Sequence, residues 1–184
     1  MNEGLIPSRY AKALLQYAHK QRAEDAVYQQ ALQITKICKA DRRVHSILSN
    51  PVLSKQNKVQ IIRTIAGNSI SPVFEKFINL LVEKKRDDYL QRICLKYIGL
   101  YRAQHNIHYA RLTTATPIDT ATEKRIVDLI NSVAGGAIEM QCETNPEVLG
   151  GFMIDVDSTR WDATLAAQLR QVQQHFDERN RQNR

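Results

Sequence analysis

The sequence predicts a mainly α protein, with a six-helix bundle over residues 1–105 followed by a small α+β domain over residues 106–184. Three observations carry this. Through the first hundred residues, apolar side chains return every three or four positions in runs bounded by Ser, Asp, Gly and Pro. Past about Asn106 the texture changes to alternation rich in β-forming residues. Between residues 145 and 169, NPEVLGGFMIDVDSTRWDATLAAQL, a glycine pair sits in a strand-like run, and a short turn then leads to an amphipathic helix.

The helices follow in order. Tyr10, Leu14, Leu15 and Ala18 share a face after Pro7-Ser8, a candidate cap region. Val27, Ala31, Ile34 and Cys38 mark a second helix. Asp41 can cap a short third helix holding Val44, Ile47 and Leu48, which Asn50-Pro51 ends because a residue before proline disfavours helix. Ser54 opens a fourth with Val59, Ile62, Ile65 and Ala66, and Gly67-Asn68 stops it. Ser71-Pro72 is a cap followed by proline at the first helical position, where the missing N–H costs nothing. The fifth helix then carries Phe74, Phe77, Ile78 and Leu81. Asp87 or Asp88 starts a sixth with Leu90, Ile93, Tyr97 and Tyr101.

In the second half, Tyr109 to Thr116 alternates as a strand. Thr120-Ala-Thr-Glu123 has the capping-box spacing, with Thr120 as the cap of a helix through Ile126, Leu129, Ile130 and Val133 that Gly135-Gly136 ends. Residues 138–143 and 148–156 are expected to pair as strands joined at Asn145-Pro146. A last helix from Ala163 shows Leu165, Leu169, Val172 and Phe176.

Composition narrows the function. With 43% hydrophobic and 24% charged residues, the chain has the balance of an ordinary globular protein. No apolar run approaches the roughly 18 residues that a membrane span needs, and MNEGLIPSRY lacks a signal-peptide pattern. A cytoplasmic location is expected, with any membrane attachment through a partner. Cys38, Cys94 and Cys142 form no C-x-x-C pair, and the five histidines fit no triad. Asp155, Asp157 and Asp162 lack an EF-hand pattern and read as turn carboxylates. Gly135-Gly136 lacks the Lys-Ser/Thr of a phosphate loop. No catalytic residue, cofactor or metal is expected. The net charge of +7 leaves a nucleic-acid-binding helical protein as the alternative, although the basic residues are dispersed and the densest run is the tail 179–184.

Two helices carry more apolar surface than a surface helix needs. At about 100° per residue, Val73, Phe74, Phe77, Ile78, Leu80, Leu81 and Val82 cover an arc of about 200°, against a usual stripe of somewhat over about 100°. Tyr10, Ala11, Ala13, Leu14, Leu15, Tyr17 and Ala18 spread similarly on the first helix. Either both helices are central in the bundle, or they share an outer groove for a helix from another protein. Periodicity leaves both open.

The stretch 145–169 resembles the C-terminal signature of the delta subunit of F-type ATP synthase, the counterpart of the mitochondrial oligomycin-sensitivity-conferring protein. The places that carry it are Asn145-Pro146, Val148-Leu149, Gly150-Gly151, Asp162-x-Thr164, Leu165 and Leu169, with Thr164 where Ser is usual. Asp157-Ser158 stands where many members have a glycine turn. The first half is similar too, through Arg9-Tyr10-Ala11-Lys12-Ala13-Leu14-Leu15, Asn50-Pro51-Val52-Leu53-Ser54 with Lys58, and residues 77–83 with Arg86. The likeness covers about residues 5–176.

The resemblance implies a non-catalytic stator subunit that links the catalytic head to the peripheral stalk. It also implies that the N-terminal helix of an alpha subunit binds between the first and fifth helices. Tyr10, Ala13, Leu14 and Tyr17 would form one wall, and Phe77, Leu80 and Leu81 the other. The second domain would meet the C-terminal ends of the b subunits. Gly150 and Gly151 read as structural, since glycine within a strand marks a bulge or a close backbone approach.

Overall fold

The computed structural model describes residues 4–41, 43–50, 52–67, 70–148, 150–157, 159–171 and 173, with backbone alone at 132–134. Pro51, Asn68, Leu149, Ser158, Val172, Phe176, the tail 179–184 and the side chain of Val133 lie outside the described residues. The chain divides into two units, Met1–His105 and Asn106–Arg184. It is mainly helical with one small sheet.

The first unit contains α1 (Leu5–Lys20), α2 (Glu24–Ala40), α3 (Arg43–Leu48), α4 (Lys55–Ala66), α5 (Pro72–Glu83) and α6 (Leu90–His105), with a 3-10 turn at Asp87–Tyr89. α1 begins before the expected cap region and takes Pro7 into its first turn. That position is tolerated because the first four helical N–H groups have no intrahelical acceptor in any case. α2 starts without a side-chain cap at Ala23, whereas α4 and α5 have one. The Asn57 N–H donates to Ser54 Oγ at 3.2 Å, and the Phe74 N–H donates to Ser71 Oγ at 3.3 Å with Pro72 at the first helical position. Asp41 accepts the Arg43 N–H at 2.9 Å and pairs with its guanidinium, which holds the carboxyl below the usual carboxylate range.

Asp87 does more than start a helix. It is buried, and its carboxylate accepts from Lys58 Nζ at 2.5 Å, while the same ammonium donates to the Leu48 carbonyl at 2.5 Å. One cation thus ties the end of α3, α4 and the 3-10 turn together.

α6 packs on α1 and α2, α2 also meets α4, and α4 meets α5. The core between them includes Leu14, Ile34, Phe74, Ile78, Leu81, Ile93 and Tyr97, each at most 2% exposed. Burial of side chains this large supplies the main driving force for the unit.

The second unit contains β1 (Ile107–Thr114), α7 (Thr120–Ala134), β2 (Ala137–Thr144), β3 (Gly151–Val156) and β4 (Thr159–Thr164), then α8 at 165–171. The sheet order is β2-β1-β3-β4, with β1 parallel to β2 and the other pairs antiparallel. This corrects the expected pairing of β2 with β3, because β1 lies between them. A β1–α7–β2 crossover lays β2 parallel beside β1. The Asn145 N–H then donates to the Thr114 carbonyl at 2.9 Å, so the chain passes the end of β1 and β3 returns along its far side. Ala110 and Leu112 of β1, both 0% exposed, occupy the centre that this order creates.

β4 is a second correction, since a turn and helix were expected directly after β3. The cap of α7 is a third. Asp119 accepts the Thr122 N–H at 3.3 Å and takes the role assigned to Thr120. A carboxylate is the better acceptor at the positive end of a helix, and this bond holds Asp119 below the usual carboxylate range.

Register assigns the two faces. Met140, Ala110 and Val156 form one cross-strand row, and Cys142, Leu112, Ile154 and Trp161 form the next. Against these rows pack Ile126 and Ile130 of α7, with Ile118 before it. The opposite face carries Tyr109, Arg111, Gln141, Asp155 and Arg160, a polar surface.

Candidate helix-binding groove

α1 and α5 meet at Tyr10 and Phe77, whose rings touch edge to face with centroids 6.4 Å apart. Along this line the helices leave an open apolar groove of about 630 Å³. Its floor is Leu14 and Phe77, which are 2% and 6% exposed. Its sides are the half-buried Tyr10 and Tyr17, the exposed Ala13, and Leu80, which is 42% exposed. Six of the seven residues named from the sequence are therefore brought together. The seventh, Leu81, is 0% exposed and belongs to the core. One position along a helix turns a side chain by about 100°, enough to send Leu81 inward while Leu80 faces the groove.

Sequence reasoning missed Ile6, Arg9, Lys76 and Arg86, which also line the groove. Spacing could have found three of them. Ile6 lies one turn before Tyr10, Arg9 one turn before Ala13, and Lys76 one turn before Leu80.

At Ala13 one wall of the groove carries only a methyl group. Ala13 leaves space that a larger residue would fill, and Tyr10 supplies aromatic area with few rotamers to freeze. Such a surface suits an amphipathic helix that lays apolar anchors into a trough.

In the second unit the glycine pair, Asp162 and Thr164 form one joint. Gly151 has φ +80°, and a Cβ there would lie 2.2 Å from the Ala163 carbonyl oxygen. A Cβ on Gly150 would lie 2.6 Å from Leu165 Cδ1. Two backbones thus approach too closely for any side chain at Gly151. The Leu165 N–H donates to the Gly150 carbonyl at 3.0 Å. The Ala167 N–H donates to Thr164 Oγ1 at 3.2 Å, which makes Thr164 the cap of α8. Asp162 accepts the Thr164 N–H at 3.0 Å; its hydrogen bonding to Thr164 keeps the carboxyl low.

Around this joint Phe152, Trp161, Leu165 and Leu169 are between 41% and 65% exposed. The neighbouring carboxylates are already engaged: Asp155 with Arg160 at 2.5 Å, and Asp157 with His108 at 2.7 Å. Cys38 and Cys94 are buried, and burial pushes both thiols up, away from the reactive thiolate.

A family model described as "ATP synthase delta (OSCP) subunit" matches residues 6–176. The chain belongs to that family. It is 35% identical over 183 residues to the ATP synthase subunit delta of Bacteroides fragilis, covering 98% of each chain. To the subunit delta of Bacteroides thetaiotaomicron it is 36% identical, again over 98% of each. Its fold is similar to that of a chain in the Toxoplasma gondii mitochondrial ATP synthase hexamer, with TM-score 0.71 and 20% identity, over 92% of this chain and 96% of that one.

Proposed function

We propose that this chain is the non-catalytic stator component of an F-type ATP synthase, joining the catalytic head to the peripheral stalk. Its first unit, acting as a six-helix bundle, takes the N-terminal helix of an alpha subunit into the groove between α1 and α5. Its second unit meets the C-terminal ends of the b subunits through the exposed apolar residues around the Gly150-Gly151 joint. The work is mechanical. A turning rotor exerts torque on the head, and an unheld head would turn with it and dissipate the proton gradient. Attachment at two places raises effective concentration, so the assembled joint is tighter than either contact alone. The chain then sits peripherally on the cytoplasmic face of the inner (plasma) membrane, held there by its partners; among the described residues no helix is long and apolar enough to cross a membrane.

The observation that carries this reading is the unfilled groove, with Leu80 exposed above a floor of Leu14 and Phe77. Calorimetric titration with a synthetic peptide of the alpha subunit's N-terminal helix tests it. Saturable binding that Leu80→Asp abolishes in a folded protein supports the reading, and absence of binding to wild type refutes it. Pull-down with separately expressed b subunits tests the second contact.

A further inference from the structure

The groove is apolar at its floor but not neutral at its rim. Arg9, Lys76 and Arg86 are the charged side chains that line it, and no carboxylate does. Arg9 and Lys76 are exposed and Arg86 is half-buried. Among the described residues none of the three forms an ion pair within the chain. Elsewhere in this unit Arg63 pairs with Glu75, Arg43 with Asp41, and Lys58 with Asp87, so what marks the rim is three cations at one apolar opening that no carboxylate lines. Cations left uncompensated beside an apolar trough impose a field on whatever enters it.

We infer that the groove selects an amphipathic helix with carboxylates flanking its apolar stripe, and that this rim sets which helix enters. The inference rests on the groove reading above and adds the chemistry of the occupant. A helix with Lys or Arg beside its stripe would bring like charges against Arg9, Lys76 and Arg86. A neutral flank would gain only the apolar contact. Carboxylates on both flanks would meet α1 through Arg9 and α5 through Lys76, one turn from Ala13 and Leu80 respectively. Because the helix dipole favours acidic groups near an N-terminus, carboxylates at the start of such a helix support its own helicity as well as matching the rim. A nucleic acid would also answer to the positive rim, but the floor of Leu14 and Phe77 offers it little besides aromatic stacking.

The test uses the full chain and three synthetic peptides sharing one leucine stripe, flanked by Glu, Gln or Lys. Calorimetry at low and high salt gives the affinities. Wild type should bind the Glu peptide about tenfold more tightly than the Gln peptide, as three exposed pairs of ordinary strength would give, and the Lys peptide most weakly. The advantage should shrink as salt rises. Arg9→Glu with Lys76→Glu should reverse the order of the Glu and Lys peptides, with helicity by circular dichroism unchanged. Equal affinity for all three peptides would overturn the charge inference while leaving the groove reading intact. Binding of none would overturn both. A single-stranded RNA that displaces the Glu peptide competitively would also overturn it, in favour of a phosphate partner.

Discussion

Leu80 and Leu81 are adjacent in sequence and opposite in fate, which gives a double dissociation. Leu81 is 0% exposed, so Leu81→Ala removes buried carbons and leaves a cavity, at a cost of about 2–5 kcal/mol. Leu80 is 42% exposed. Fully burying a leucine contributes about 1.5–3 kcal/mol, so Leu80→Ala costs roughly half of that, about 1 kcal/mol. With a urea slope of about 2 kcal/mol/M, the midpoint followed by circular dichroism should fall by about 1–2.5 M for Leu81→Ala and about 0.5 M for Leu80→Ala. Binding should invert the ranking. Leu80→Ala removes an anchor and weakens the alpha-subunit peptide by about tenfold, near 1.4 kcal/mol, whereas Leu81→Ala, measured while folded, binds almost as wild type does. Comparable stability losses for the two variants, or unchanged affinity for Leu80→Ala, would show that the trough is core and not a docking surface.

Four further outcomes follow from the same geometry. Gly151→Ala places a Cβ against the Ala163 carbonyl at positive φ and should destabilise the second unit by about 1–3 kcal/mol; Gly135→Ala, at φ +70° with nothing within 4 Å, should cost about 1 kcal/mol. Trp161, the single tryptophan of the chain, lies on β4 and reports both by fluorescence. Thr164→Ala removes the cap of α8 and should cost about 1 kcal/mol, read by the same probe. Asp87→Asn leaves Lys58 buried without its counter-charge and should cost about 3–5 kcal/mol, with Lys58→Met in the same chain restoring much of the loss in a urea titration. Asp119 and Asp162 are held below their ordinary range, so their contribution is complete above about pH 3.9 and is lost as pH falls through their lowered folded values. Acid titration of Trp161 fluorescence should therefore show the second unit loosening only below that pH, and Asp162→Asn should flatten the response.

Much of the helical fold was legible because its signals are local. Ser54, Ser71 and Pro72 announce helix starts by chemistry that acts within one turn, and the structure has helices beginning at each. The errors arose where two local signals competed or where the deciding partner was distant. Thr120 has the right spacing to Glu123, but Asp119 lies one residue earlier and is the stronger acceptor. β2 and β3 are neighbours in sequence, yet β1 separates them, since a parallel crossover is settled by where α7 packs and not by the loop. β4 escaped because Thr-Arg-Trp-Asp-Ala-Thr carries one large apolar side chain and a polar outer row. An edge strand paired on one side needs no alternation strong enough to read.

The groove was half legible for a related reason. A 200° apolar arc states that a helix has two apolar neighbours, but not whether the second belongs to the same chain. Packing answers that for α5: Phe74, Ile78 and Leu81 turn into the unit, Phe77 meets Tyr10 of α1, and Leu80 stays exposed at the groove. Ala13 contributes only a methyl group to that opening. The rim was harder to read, since spacing can place Arg9 and Lys76 beside Ala13 and Leu80, but charged residues on an exposed face are too common for that spacing alone to mark them. Arg9, Lys76 and Arg86 acquire meaning only once two helices and the chain beyond α5 bring them to one opening with no acid among them. An apolar trough that served merely as an imperfectly filled core would gain nothing from that arrangement, because like charges at its mouth repel each other until something anionic lies between them.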